Sequence, residues 1–171
     1  TKTLDSTKTA SGRSGRIEEA DRSIATQSAR SKVTCVDEED AHFMGQALLE
    51  ARSAFELGEV PVGAVLVREG QILVRSHNLV ETRSDATAHA EILCLQAGAH
   101  LLQNWRLLQT TLYCTLEPCA MCAGAMLLSR ITRLVYGAPD LRHGVHGSWC
   151  QLFANPHPTH TIQISKGVLE G

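Results

Sequence analysis

Residues Thr110 to Gly137 read TTLYCTLEPCAMCAGAMLLSRITRLVYG, and this stretch decides the fold. Thr111–Thr115 has the β-branched and aromatic composition of a strand. Glu117-Pro118 breaks it, since proline cannot donate to a ladder but fits a helix start. Ala120–Leu128 then runs through Ala, Met and Leu as a helix. Arg133–Tyr136 returns to strand. Strand, helix and strand in succession predict a crossover between parallel strands.

Upstream, Asp37-Glu38-Glu39-Asp40 places acids where they would favour a helix N-terminus. Phe43, Ala47, Leu48, Ala51 and Phe55 follow at helical spacing, and Gly58 closes the helix. Pro61–Val67 and Ile72–Arg75 read as two strands joined by the turn Arg68-Glu69-Gly70-Gln71, an antiparallel hairpin. A turn-rich loop, His77–Thr87, leads into a helix over Ala88–His100. Downstream, Gly147–Phe153 reads as a short helix and Thr161–Ser165 as a last strand. The order predicts an α/β layered domain on a mixed five-stranded sheet.

Residues 1–36 are rich in Ser, Thr, Lys and Arg with no apolar period, and read as a disordered linker or tail. The predicted domain is 37–171. The net charge of -2 conceals an asymmetry. The tail holds seven basic and four acidic residues, the domain nine basic and fourteen acidic. An acidic body gives no compositional sign of nucleic-acid binding. No apolar run approaches the roughly 20 residues of a membrane span. The first residue is Thr, so the chain reads as a processed form or a piece of a longer protein. Of six cysteines, two form a C-x-x-C after a proline, which favours metal in a reducing compartment. Cys94, Cys114 and Cys150 read as buried small hydrophobes. His143, His146, His157 and His160 lie in Gly/Pro-rich loops and read as surface or RNA-facing positions.

The chemistry lies in His89-Ala90-Glu91 and Pro118-Cys119-Ala120-Met121-Cys122, both at predicted helix starts. Helix N-termini favour thiolate, and two thiolates with one imidazole suit tetrahedral zinc. Three ligands leave one coordination position for water, whose pKa zinc lowers toward roughly 7. Glu91, two residues from His89, is placed to move protons rather than to ligate. The pair H-x-E…P-C-x-x-C is the pattern of zinc nucleobase deaminases, hydrolytic enzymes that remove an amine from a heterocycle. Three alternatives stand beside this reading. They are a redox Cys pair, a structural zinc completed by Cys94 or His77, and a catalytically silent zinc-binding partner subunit.

With Glu59–Val67 (EVPVGAVLV) and Asp85–Ile92 (DATAHAEI), the quoted stretch closely resembles TadA-type tRNA adenosine deaminases, over about Ala41 to Leu169. The resemblance implies the three-layer α/β/α cytidine-deaminase-like fold, Zn2+, a homodimer and a tRNA anticodon stem-loop as partner. It implies deamination of the wobble adenosine to inosine, in bacteria and plastids on an arginine tRNA with an ACG anticodon. His89, Cys119 and Cys122 match the zinc ligands and Glu91 the proton shuttle. Asn78 matches a contact to the flipped nucleotide, and Val60 and Val62 match apolar contacts to the adenine. Ala90 and Pro118 match pocket backbone groups, and Asp140 matches an acid that touches a neighbouring ribose. By pattern alone, Val60 and Val62 also fit ordinary core, and Asp140 fits a turn cap. A deaminase of free guanine or cytosine would carry the same metal site.

Members of this family continue into a basic C-terminal helix that this chain lacks, so it reads as a truncated form, weaker on tRNA. The long Ser/Thr-rich start resembles a plant chloroplast parent; the alternative is a bacterial-type cytoplasmic enzyme.

Overall fold

The computed structural model of the chain describes residues 22–154 and 158–169, with side chains from residue 38 onward. Two compact units are distinguished, Thr1–Val36 and Asp37–Gly171, and the second carries all that follows. Residues 1–21, read above as part of the tail, lie outside the described residues, as does His157.

The elements in chain order are α1 (Arg22–Glu56), β1 (Gly63–Arg68), β2 (Gln71–His77), α2 (Val80–Arg83), α3 (Ala90–Leu101), β3 (Thr110–Leu116), α4 (Ala120–Ser129), β4 (Arg133–Ala138) and β5 (Gln163–Lys166). The sheet has five strands in the order β2-β1-β3-β4-β5. β1 pairs antiparallel with both β2 and β3, while β3–β4 and β4–β5 are parallel. This is the expected mixed sheet, with α4 as the crossover from β3 to β4. The hairpin turn holds Glu69 and Gly70 both at positive φ, the geometry that matches strand twist in two-residue loops.

Alternate residues of the strands face opposite layers. Val65, Val67, Tyr113 and Val135 pack with Phe43, Met44 and Ala47 of α1. Ala64, Leu66, Leu112 and Leu134 pack with Cys94 and Leu95 of α3 and with Cys122 and Met126 of α4. The result is an α/β/α arrangement. Gly63 is fixed by the first contact, because a Cβ there would meet the Ala47 carbonyl oxygen at 2.1 Å.

Four local expectations are corrected. α1 begins at Arg22, not at Asp37; residues 22–36 contain neither Gly nor Pro, so nothing in them halts a helix. Asp40 is therefore not a helix-terminal acid but a buried partner of Arg133. Gly147–Phe153 forms turns with one bridge, His146 to Gln151, rather than a helix; Gly147 sits at φ 124°. Cys150 is exposed, whereas Cys94 and Cys114 are buried as expected. Among the described residues, no helix is long and apolar enough to cross a membrane.

Candidate metal centre and active site

β3 ends at Leu116, and Glu117-Pro118 carries the chain into α4. Cys119 is the residue that caps α4, and His89 is the residue that caps α3. Cys122 and Glu91 follow within the first turns. Two helix N-termini therefore converge, and their partial positive charge favours thiolate at this point. His89 Nδ1 lies 3.7 Å from Cys119 Sγ and 3.5 Å from Cys122 Sγ, and the two sulfurs are 3.6 Å apart. A tetrahedral zinc with Zn–S of about 2.3 Å and Zn–N of about 2.0–2.1 Å separates two sulfurs by ~3.8 Å and sulfur from nitrogen by ~3.6 Å. The triangle fits that ion.

Among the described residues this is the one His/Cys/acid cluster with the spacing of a metal site. Neither proposed fourth ligand joins it. His77 Nδ1 is 2.9 Å from Glu50 Oε2, and Cys94 Sγ points at the Val74 carbonyl at 3.7 Å. His143, His146 and His160 are dispersed too. His146 pairs with Tyr136 and His160 with the Ile131 carbonyl. The donor set is therefore that of an open, catalytic centre rather than a closed, structural one.

The two thiols share one ionisation. Contact with Cys122 draws Cys119 down to about 4, and the same contact pushes Cys122 well above the usual thiol range. His89 is raised, chiefly by Cys119. A divalent cation held by His89, Cys119 and Cys122 would take both sulfurs as thiolates and displace their protons. Glu91 is 3% exposed, and its Oε2 is buried with no hydrogen-bond partner. Burial pushes its carboxyl up, partly countered by its own backbone N–H and by His89. An unsatisfied buried carboxylate oxygen is costly unless function retains it.

These groups open into a pocket of about 490 Å³. Val60, Val62, Asn78, His89, Glu91 and Cys119 line it, and Asp140 lines it as well. Ala90, Pro118 and Cys122 are buried and are not among the pocket's lining residues. Val60 is 59% exposed, which is not a core position, while Val62 is buried. Asp140 lines the pocket, and its Oδ1 caps a turn by accepting the backbone N–H groups of Arg142 and His143.

Two acids that sequence reading did not single out hold the walls. Glu59 is buried and accepts Asn78 Nδ2 at 3.1 Å, Glu81 N at 3.2 Å and Thr82 N at 2.7 Å. Burial would raise its pKa, but the bonds from Thr82, Glu81 and Asn78 outweigh it and hold the carboxyl below its ordinary value. Glu59 thus fixes the Asn78 amide and the start of α2 together. Glu117 accepts Asp140 N at 3.2 Å, His146 N at 2.7 Å and the Ser148 hydroxyl. Its pKa is also lowered, because the bonds from Ser148, His146 and Asp140 outweigh burial. Gly144 packs against it, since a Cβ there would lie 2.4 Å from the Glu117 carboxyl. The only sequence signal was position, an acid directly before the Pro-Cys pair.

A family model for the cytidine and deoxycytidylate deaminase zinc-binding region matches residues 37–138. A chloroplastic tRNA(adenine(34)) deaminase of Arabidopsis thaliana is 48% identical over 147 residues, 77% of this chain and 11% of that protein. A tRNA-specific adenosine deaminase of Bacillus subtilis is 46% identical over 132 residues, 77% of this chain and 82% of that one. A solved structure from work on A-to-I editing by tRNA:A34 deaminases superposes with a TM-score of 0.72 at 46% identity, over 75% of this chain and 94% of that one. The chain thus spans about a tenth of the plant relative and most of the bacterial one.

Proposed function

The chain belongs to the tRNA-specific adenosine deaminase family of zinc-dependent deaminases, and from that membership we propose that it converts the wobble adenosine of a tRNA anticodon to inosine. The observation that carries the chemistry is the buried, unpartnered Glu91 Oε2 beside an open three-ligand triangle. The substrate class rests on the relatives. An arginine tRNA with an ACG anticodon is the specific substrate we assign, on the family resemblance.

When bound, zinc activates water for attack at C6 of the adenine. This chain's residues do the rest. The anticodon loop splays its bases, and one enters the 490 Å³ pocket. Val60 and Val62 contact the ring. The Asn78 amide, oriented by Glu59, binds the flipped nucleotide. Ala90 and Pro118 contribute backbone groups, and Asp140 reaches a neighbouring ribose. Glu91 takes a proton from water and delivers it to N1, then passes the second to the departing amine. Oxygen replaces nitrogen at C6, and adenosine and water become inosine and ammonia.

Incubation of the zinc-loaded chain with an anticodon stem-loop and, separately, with free adenine, guanine and cytosine tests the assignment. The expected result is inosine in the RNA alone. Turnover of free bases alone would reject it in favour of a free-base deaminase, and metal binding with no turnover would favour a silent partner subunit.

We also assign a homodimer. The outer faces of α3 and α4 form an apolar groove of about 400 Å³, lined by Ile92, Leu95, Ala99, Trp105, Ala125 and Leu128. Leu128 is 68% exposed on it. A second copy would cover this surface. Leu128→Glu is expected to give a particle of one 18.6 kDa chain by light scattering, where the unmodified protein gives two. An unmodified protein already at one chain overturns the assignment. The identity to the chloroplastic Arabidopsis enzyme supports a chloroplast location, and the bacterial match supports a bacterial-type cytoplasm.

A further inference from the structure

The acidic domain must still hold a polyanion if the reading above is right. Lys166 is the one lysine between Asp37 and Gly171. It stands at the end of β5. There it lines a second cavity, of about 530 Å³. Tyr136, His146, Ser148 and Gln151 line the same space, with Pro139 just past β4. β4 and β5 are parallel, so both present their carboxyl ends here, where open α/β sheets take ligands.

Two features suit an anion and one opposes it. Lys166 has no carboxylate within ion-pair distance among the described residues. The one acid in the wall, Glu117, is held ionised by the bonds it accepts from the Ser148 hydroxyl, His146 N and Asp140 N, so the cation has to outweigh it. The Gln151 amide lies over Gly147 and adds a neutral donor; a Cβ on that glycine would stand 3.0 Å from Nε2. Glu117 also lines the nucleoside pocket, so the two spaces share a wall. A nucleotide in the first pocket carries flanking phosphates, and the second cavity adjoins that pocket across Glu117.

We propose that the cavity at the carboxyl ends of β4 and β5 binds a backbone phosphate of the substrate RNA, with Lys166 as its cation. This inference rests on the proposed RNA substrate. One phosphate contact on a single strand contributes about 0.7 to the slope of log affinity against log salt. Lys166→Ala should therefore flatten that slope by ~0.7 for a stem-loop RNA, and weaken binding about fivefold at 0.1 M salt. Lys166→Arg should keep both. The lysine is exposed, so the variants are expected to melt with the unmodified protein.

Filter binding across a salt series reads the slope whether or not the chain turns the RNA over. Failure of the deaminase assignment would appear as missing inosine, and failure of this inference as an unchanged slope. A parallel titration with inorganic phosphate separates the two sources of the anion. Phosphate binding that Lys166→Ala abolishes, with the RNA slope unchanged, would assign the cavity to a free anion and overturn the proposal.

Discussion

Glu91→Gln lowers kcat on an anticodon stem-loop by about 10⁴-fold, ~5 kcal/mol of transition-state stabilisation, with KM within about threefold of its starting value. Glutamine keeps the volume of the side chain but cannot accept or release a proton. The residues that would hold the metal, His89, Cys119 and Cys122, are unchanged in the variant. What is lost is acceptance of the proton from water and its transfer to N1 and to the amine, all assigned to one carboxyl. Metal analysis should return one zinc per chain before and after, which separates this loss from damage to the centre. A variant that keeps a tenth of kcat with zinc bound would remove Glu91 from the mechanism.

The same substitution has a second consequence of opposite sign. Glu91 Oε2 is buried without a partner, so the ionised carboxyl costs the fold free energy. A neutral amide relieves that cost. Glu91→Gln is therefore expected to melt at or above the temperature of the unmodified protein. Activity and stability move apart here, as they do where a site is kept strained for its chemistry. Glu91→Asp behaves differently. It keeps the acid but withdraws it by about 1.5 Å, and a displacement of that order costs about 10²-fold.

The sequence made the metal centre legible because its parts are local. His89 and Glu91 lie within one turn, as do Cys119 and Cys122, and each pair starts a helix that follows a recognisable loop or strand. The hairpin and the crossover were legible for the same reason. Glu59 and Glu117 were not, since most of their partners are backbone N–H groups 22 to 31 residues away. A backbone donor carries no side-chain signature. The extent of α1 escaped because acids at Asp37–Asp40 look like a helix start wherever they occur. Their real setting depends on Arg133, 93 residues distant from Asp40. Gly147–Phe153 looked helical in composition, but the fold spends its N–H groups on turns instead. Ser148 N goes to Glu117, and Trp149 N goes to the Gly144 carbonyl.

That distant pair sets the largest expected loss of stability. Asp40, on α1, is 4% exposed. Its two oxygens meet Arg133 Nη1 and Nη2, each at 2.6 Å, and its Oδ1 also accepts the Tyr113 hydroxyl at 2.9 Å. Arg133 Nη2 continues to Ser165 Oγ at 2.8 Å. One carboxylate thus ties α1 to β3 and β4, and through Arg133 to β5. It also holds Arg133 more firmly protonated than usual. Asp40→Ala removes the acceptor and leaves a guanidinium and a phenol facing an apolar layer. Breaking a buried pair this way costs about 3–5 kcal/mol. Arg133 keeps some access to water, its side chain being 21% exposed, which favours the lower end. A loss of about 3 kcal/mol lowers the melting temperature of a domain this size by roughly 10 °C. Asp40→Asn keeps an acceptor for Tyr113 and should lose less. The double change Asp40→Leu with Arg133→Met tests what the pair is for. If its value lies in fixing α1 rather than in net stability, the apolar pair recovers most of the loss, because replacing a buried ion pair is often neutral. A double variant as unstable as Asp40→Ala would instead make the ion pair a net stabiliser of the fold.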